Sequence, residues 1–402
     1  MKIATTFSTN GDTVTATSEA IAALKQKLGA DPDLLLAYYS DPYDSAELTK
    51  ILQSETPEQC QIHGGTSCLG SMSDSGFHSK DGVGLALWGV VDPKGSYGTG
   101  SAIIGDSPED AAANALEQAL DKSGRIGEVP ALVWINGAPG REEALIAGIE
   151  SILGPDVPIA GGSTGDNTVT GNWKQIANGE VWNDAVVISV LFPSTKISYA
   201  FHSGYDPTKI TGVITKCEGR TLLEIDGRPA AEVYNKWTEG AITEMLPDGG
   251  NVLALTSLYP LGRIVGEVGG VPYYKLSHPD GVLENGGMTL FSDVAEGEEI
   301  TLMHGTIESL VQRAGRVTTA AVEQGNFQSE ELAGGLAIYC AGCMLTVQPK
   351  MDEVASYVSA ALNDTPFIGD FTFGEQGCFV GHENTHGNLM ISIVAFSHIP
   401  TD

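Results

Sequence analysis

The residues with the most obvious chemistry crowd the stretch 366–396, where Cys378, His382, Glu383 and His386 follow a glycine-rich bend containing Asp370, Thr372 and Glu375. HENTH at 382–386 spells H-E-x-x-H, the spacing by which a helix sets two histidines and a general base beside zinc. Gly381 and Gly387 bracket the string, Asn384 interrupts it and a β-rich run follows. The expectation is therefore a loop before a closing strand, not a zincin. Cys340 and Cys343 form a C-x-x-C, and a structural metal site would need a second pair of ligands. Cys378, His382 and His386 could supply it if the bend folds against the strand at 335–342. A metal- or cysteine-dependent enzyme using these five residues is the alternative reading. A C-x-x-C at a strand-to-helix turn also suits redox chemistry. The leading expectation is plainer: no catalytic residue, no metal and no cofactor, with Cys340 a small strand residue lining a pocket.

Recognition chemistry has wider support along the chain. Ser163, Thr164 and Asp166 follow two glycines at the end of a strand, as do Thr66 and Ser67. Amides and hydroxyls at such bends suit carboxylate or phosphate groups, and the same residue types also serve ordinary turns. The glycines let the backbone turn sharply or approach a ligand. The isolated G-x-x-x-x-G spacings lack the lysine of a P-loop, which argues against a nucleoside triphosphate. Glu375 could pair with a ligand ammonium, and Arg263 and Lys275 are the cationic candidates for a ligand carboxylate. The expected ligand-binding set is Thr66, Ser67, Ser163, Thr164, Asp166, Arg263, Lys275, Cys340 and Glu375.

The elements that must position these residues recur three times. Strand, helix, buried strand, helix, bend and closing strand run from 2–8 through 34–40 and 62–70 to 82–90, and again from 98–105 through 131–137 and 159–167 to 184–192. A third pass runs from 299–305 through 335–342 to the bend at 366–377 and the final strand. In the first two passes the buried strand and the bend are offset by the same 28 positions, Leu34 to Ile62 and Ala131 to Ile159. Strands alternating with helical patterns indicate an α/β chain, with α+β as the variant. We expect an internal repeat whose sheets are covered by helices in an αββα layering, and a β-rich segment at 193–298.

The 402 residues suffice for two or three cores. Lys+Arg 21 against Asp+Glu 51 gives a net charge of −30, a field that repels phosphate backbones and anionic membranes, so no nucleic-acid partner is expected. No apolar run reaches the roughly 20 residues that span a bilayer, and MKIATTFSTNGDTVTATSEA lacks the apolar core of a secretory signal. Six cysteines are too few for a disulfide scaffold. These readings point to a cytoplasmic acidic protein without membrane insertion, and they set no oligomeric state.

The order of several strings resembles the FIST family, a sensory module of paired N- and C-terminal domains. GGTS (64–67) and IAGGSTGD (159–166) carry the resemblance in the first half. YPLGR (259–263), DVAEGEEITLM (293–303), GLAIYCAGC (335–343), Gly374-Glu375 and NTHGNLMISIVAF (384–396) carry it in the second. The resemblance implies an N-terminal domain at 1–195, a C-terminal domain at 196–402 and a small-molecule sensor in signal transduction. Its ligand would be an amino acid or related small metabolite, and its signal would pass to a separate output protein. The family often has arginine just after the cysteine of the C-terminal strand, where this chain has Cys343, and arginine at Lys275. An ammonium cannot make the bidentate fork of a guanidinium, so the resemblance implies a ligand held differently here.

Overall fold

The structure, a computed structural model, describes residues 1–268, 271–379, 381 and 383–401. Three pairs of parallel strands organise it: β1 (Leu34–Tyr39) beside β2 (Gln61–Thr66), β3 (Leu132–Gly137) beside β4 (Ile159–Ser163), and β5 (Leu332–Cys340) beside β6 (Phe367–Thr372). Every residue of the six strands is buried. That is why LLLAYY, LVWING and LAGGLAIYC run without polar alternation, as parallel strands covered on both faces do. The first helix starts at Thr13, where Asp12 accepts the Thr15 amide at 2.8 Å and caps it.

Each pair sits inside a six-stranded sheet, and the three sheets share one plan. In the first, the order is 2–8, 85–91, β1, β2, 175–177, 180–182; in the second, 96–103, 185–192, β3, β4, then β7 (Gly374–Phe379) and β8 (Glu383–Gly387). In the third it is 195–202, 391–400, β5, β6, 71–73, 76–78. The last two strands of every sheet form a hairpin supplied by a distant part of the chain. Each hairpin covers the open edge of a parallel pair, an edge that would otherwise offer unpaired amides to another chain.

The glycines at the strand ends serve this packing. A Cβ on Gly64 would stand 2.0 Å from the Ala37 carbonyl oxygen, and one on Gly161, whose φ is +149°, would stand 1.9 Å from that of Ile135. A Cβ on Gly162 would meet Thr372 at 2.4 Å. The backbone approach they permit is to protein, not to a ligand.

Inward faces of all three sheets meet in one core that includes Leu36, Trp88, Trp134, Ile338 and Phe396. The helices cover the outer faces, with Leu24 and Leu48, Leu116 and Leu145, and Leu310 and Val354 in three outer clusters. The class is α/β, as expected. Across any two sheets the layering reads helix, sheet, sheet, helix, and a third covered sheet closes the prism.

The strand at 299–305 departs from the sequence reading. It does not open the third sheet; it pairs with 206–218 and 261–268 in a separate nine-stranded sheet. The outer strand of the third sheet is Thr195–His202, and Ser198 Oγ donates to Ala321 O of the helix Ile307–Gln324 at 2.7 Å. Residues 206–304 are inserted between that strand and its helix, and local pattern cannot see across such an insertion. The inserted segment is β-rich and has its own core around Ile214, Leu222, Tyr234 and Leu302. No helix among the described residues is long and apolar enough to cross a membrane.

Candidate functional site

The C-terminal ends of β3, β4, β5 and β6 converge under the inserted segment and leave a cavity of about 290 Å³. Cys340, the last residue of β5, and Thr372, the last of β6, lie on one side. The turn after β3 contributes Pro139, Gly140 and Glu142. Trp173, from the loop after β4, meets Phe373 edge-on with centroids 6.2 Å apart, and Phe291 meets His278 edge-on at 6.0 Å. Phe291, His278, Leu253 and Arg220 all belong to the inserted segment and roof the cavity. A mostly apolar wall with a few fixed polar groups is the usual form of a small-ligand site.

The polar groups are held in place by their neighbours. Glu142, 2% exposed, accepts Ser163 Oγ at 2.7 Å, the Gly140 amide at 3.0 Å and Arg220 Nη2 at 2.7 Å. Burial alone would raise its pKa; His386, Arg220, Ser163 and Gly140 outweigh burial and hold it below the ordinary glutamate value. Glu143 is also held low, burial being overcome by His386 and Arg220. It accepts Arg220 Nη2 at 2.6 Å and faces His386 Nδ1 at 3.1 Å. Arg220 Nε reaches Asp293 at 3.1 Å, so three carboxylates share one guanidinium. His278 is pushed down to about 4 by burial against the hydrogen bond to Leu253 O at 3.1 Å. It is neutral at pH 7, with its proton on Nε2.

Among the described residues, Glu142, Glu143 and His386 are the group whose donor atoms come close enough to hold a metal ion. Arg220 already occupies both carboxylates, and a divalent cation there would have to displace it. The cysteine–histidine set does not assemble. Cys378 turns toward Tyr199 and His386 toward Glu143, while His382 lies outside the described residues. Residues 383–386 of the H-E-x-x-H string lie in β8, a strand rather than the expected loop, so they lack the helical face on which a zincin sets its ligands.

Of the residues expected from the sequence to bind ligand, Cys340 lines the cavity and Ser163 orients Glu142 at its edge. Glu375 is fully buried, accepting Thr372 Oγ1 at 3.0 Å and the Met390 amide at 2.9 Å. Burial raises its pKa well above the ordinary glutamate value, against those two hydrogen bonds. Thr66 Oγ1 accepts the Lys174 amide at 2.8 Å, Ser67 Oγ the Phe371 amide at 2.9 Å, and Thr164 Oγ1 accepts Gln175 Nε2 at 2.7 Å. Asp166 accepts amides of Thr168, Thr170, Gly171 and Asn172, which fixes the loop leading to Trp173. Arg263 pairs with Glu298 at 3.0 Å and lies across from Lys275 on a hairpin of the inserted segment. Burial and that arginine lower the Lys275 pKa.

Glu142, Arg220, Trp173 and His278 did not stand out in the sequence. Glu142 and Glu143 read as ordinary acids of a helix first turn, and Arg220 as a residue of a hairpin turn.

A FIST N domain model matches residues 33–228 and a FIST C domain model residues 230–378. Over 88 residues, 21% of this chain, the sequence is 36% identical to an uncharacterized protein of Methanocaldococcus jannaschii, and the match spans 17% of that relative. The fold aligns with the crystal structure of cyanuric acid hydrolase from A. caulinodans over 98% of this chain and 99% of that one. Identity there is 9% and the TM-score 0.34, values at which the likeness carries no inference.

Proposed function

This chain belongs to the FIST family of sensory domains, and we propose that it senses an amino acid or related small metabolite held in the cavity beneath the inserted segment. The observation that supports this most directly is Glu142: an ionised, nearly buried carboxylate at the edge of an aromatic-walled cavity. It would take the ligand ammonium, while Cys340, Trp173 and Phe373 enclose the side chain. Ser163 acts through Glu142 as a positioning residue. The ligand-bound state is read by a separate output protein.

Thermal shift across the common amino acids, their amides and small carboxylates tests the reading. A ligand at one hundred times its Kd adds about 2.7 kcal/mol to stability, enough for a clear rise in Tm. The rise should require a free ammonium and should vanish in Glu142→Gln. A flat profile across the panel, or a response unchanged in that variant, would sink the assignment.

A further inference from the structure

One face of the second sheet gathers lone pairs with too few donors to meet them. Ser163 pairs with Gly374 across β4 and β7, and Gln376 pairs with His386 across β7 and β8. Residues two apart in a strand share a face, so Ser163, Gln376 and His386 stand on one side of the sheet around Gly374. A Cβ on Gly374 would stand 2.6 Å from His386 Nε2 and 3.2 Å from Glu142 Oε1. The imidazole edge and the carboxylate therefore close over one point. Glu142, Glu143 and His386 each bring a donor atom within 4.8 Å of the others.

Hydrogen bonding fixes which of these atoms keep a lone pair. Ser163 Oγ gives its one proton to Glu142 at 2.7 Å. The Gln376 amide beside it must then turn Nε2 to that oxygen, at 3.5 Å. Gln376 is 2% exposed, and its Oε1 is left buried without a donor, which is destabilising unless a donor or a cation meets it. Asn388 Oδ1 accepts the His278 amide at 3.1 Å, so Asn388 turns Nδ2 to His386 Nε2 at 3.5 Å. His386 Nε2 accepts there, and Nδ1 carries the ring proton toward Glu143 Oε1 at 3.1 Å.

We propose that Gln376 Oε1, His386 Nε2 and Glu142 form a site for a divalent first-row transition ion of the zinc type, and that Glu143 orients the imidazole from its far side. An imidazole nitrogen beside carboxylate and amide oxygens suits zinc, whereas magnesium and calcium favour sets made of oxygen alone. A ligating histidine usually donates its other ring N–H to a carboxylate, the part Glu143 plays here. A carboxylate accepts at about four sites, and Ser163, Gly140 and Arg220 leave Glu142 room for one more partner. An ion shared by both glutamates would displace Arg220, but one on the Oε1 side of Glu142 leaves it in place, because Arg220 uses Oε2. The ion fastens the hairpin β7–β8 to the helix Glu142–Leu153, and so ties the C-terminal half of the chain to the N-terminal half.

The test titrates the chelator-stripped full chain with cobalt(II), then with zinc. One equivalent of cobalt should give visible d–d bands without a thiolate charge-transfer band in the near ultraviolet. Zinc should displace it one for one and raise Tm, and magnesium or calcium at the same concentration should do neither. Gln376→Leu keeps the bulk and removes the unpaired oxygen, so the ion-free variant should be at least as stable as the wild type and bind zinc at least about tenfold more weakly. His386→Ala should abolish binding, and Glu143→Gln should weaken it about 10–100-fold. Absence of the cobalt bands, or equal binding of magnesium, would overturn the proposal. So would a thiolate band, which would place the ion on a cysteine. Unchanged zinc affinity in Gln376→Leu, or a lower Tm of that variant without metal, would remove its premise. None of these readouts requires amino-acid binding.

Discussion

Replacing Arg220 with methionine should cost more than an ordinary ion-pair mutation. Arg220 joins the inserted segment to the second sheet through Glu142 at 2.7 Å and Glu143 at 2.6 Å. Methionine keeps much of the side-chain volume and leaves both carboxylates without their cation. Breaking a buried pair from one side costs about 3–5 kcal/mol. Arg220 is 22% exposed and Glu143 24%, so water recovers part of that, and we expect about 3 kcal/mol at pH 7. The pH dependence gives the sharper check. Both glutamates are held below their unfolded values, so their contribution is present above the unfolded pKa of about 4.3 and is lost as pH falls through the folded values. In the variant the uncompensated carboxylates protonate more readily, and the gap between the two proteins should shrink toward about 1 kcal/mol by pH 4. Urea unfolding at pH 7, 5.5 and 4 measures this, and adding Glu142→Gln to the variant should return part of the loss. A deficit below about 1 kcal/mol at pH 7, or one that does not change with pH, would refute the clamp.

Three further outcomes follow from buried groups. Burial raises Asp370 to about 7 despite hydrogen bonds from Ser67 and Asn136; its folded pKa exceeds the unfolded one, so it favours the fold below pH 4 and loses that contribution as pH rises to 7. Asp370→Asn should remove a slope worth about 4 kcal/mol across that window, and unchanged pH–stability curves would contradict it. Asp166→Ala should release the loop before Trp173, speeding amide exchange at 168–172 and costing about 1–3 kcal/mol; unaltered exchange would show the loop is held otherwise. Gly64→Ala puts a methyl 2.0 Å from the Ala37 carbonyl oxygen and should cost at least about 2 kcal/mol in chemical denaturation, a loss that an unchanged midpoint would disprove.

The parallel pairs were legible because strands buried on both faces leave continuous apolar runs such as LLLAYY and LVWING. The exchanged hairpins were not. Strands 71–73 and 175–177 are three residues long, and their partners are fixed by closure of the whole prism. At the site, Cys340 could be found because it ends a buried strand before a helix. Glu142 could not: its proximity to Ser163 and Arg220 joins residues far apart in sequence. Asp166, Thr66 and Ser67 have the chemistry of binding groups, but their hydrogen bonds are spent on the backbone of neighbouring loops, and no local pattern reveals where a hydroxyl or carboxylate points.

Binding can signal only if the ligand interacts differently with two states of the protein. On the proposed reading the difference would lie in how the inserted segment is attached. It is tied to the sheets by Arg220 on Glu142 and by Asn388, which accepts the His278 amide at 3.1 Å. The proposed ligand ammonium approaches the carboxylate that Arg220 uses, so it competes with the clamp on one side of the cavity. Its side chain would meanwhile meet Phe291 and Leu253, which line the cavity, and favour the closed roof. An amino acid with a large apolar side chain should therefore hold the segment down, and a bare small amine should loosen it. Amide exchange in 253–256 and 288–290 separates the two: protection should rise with the first ligand and fall with the second. The same response to both would mean that the segment is a fixed roof and that the signal leaves by another route.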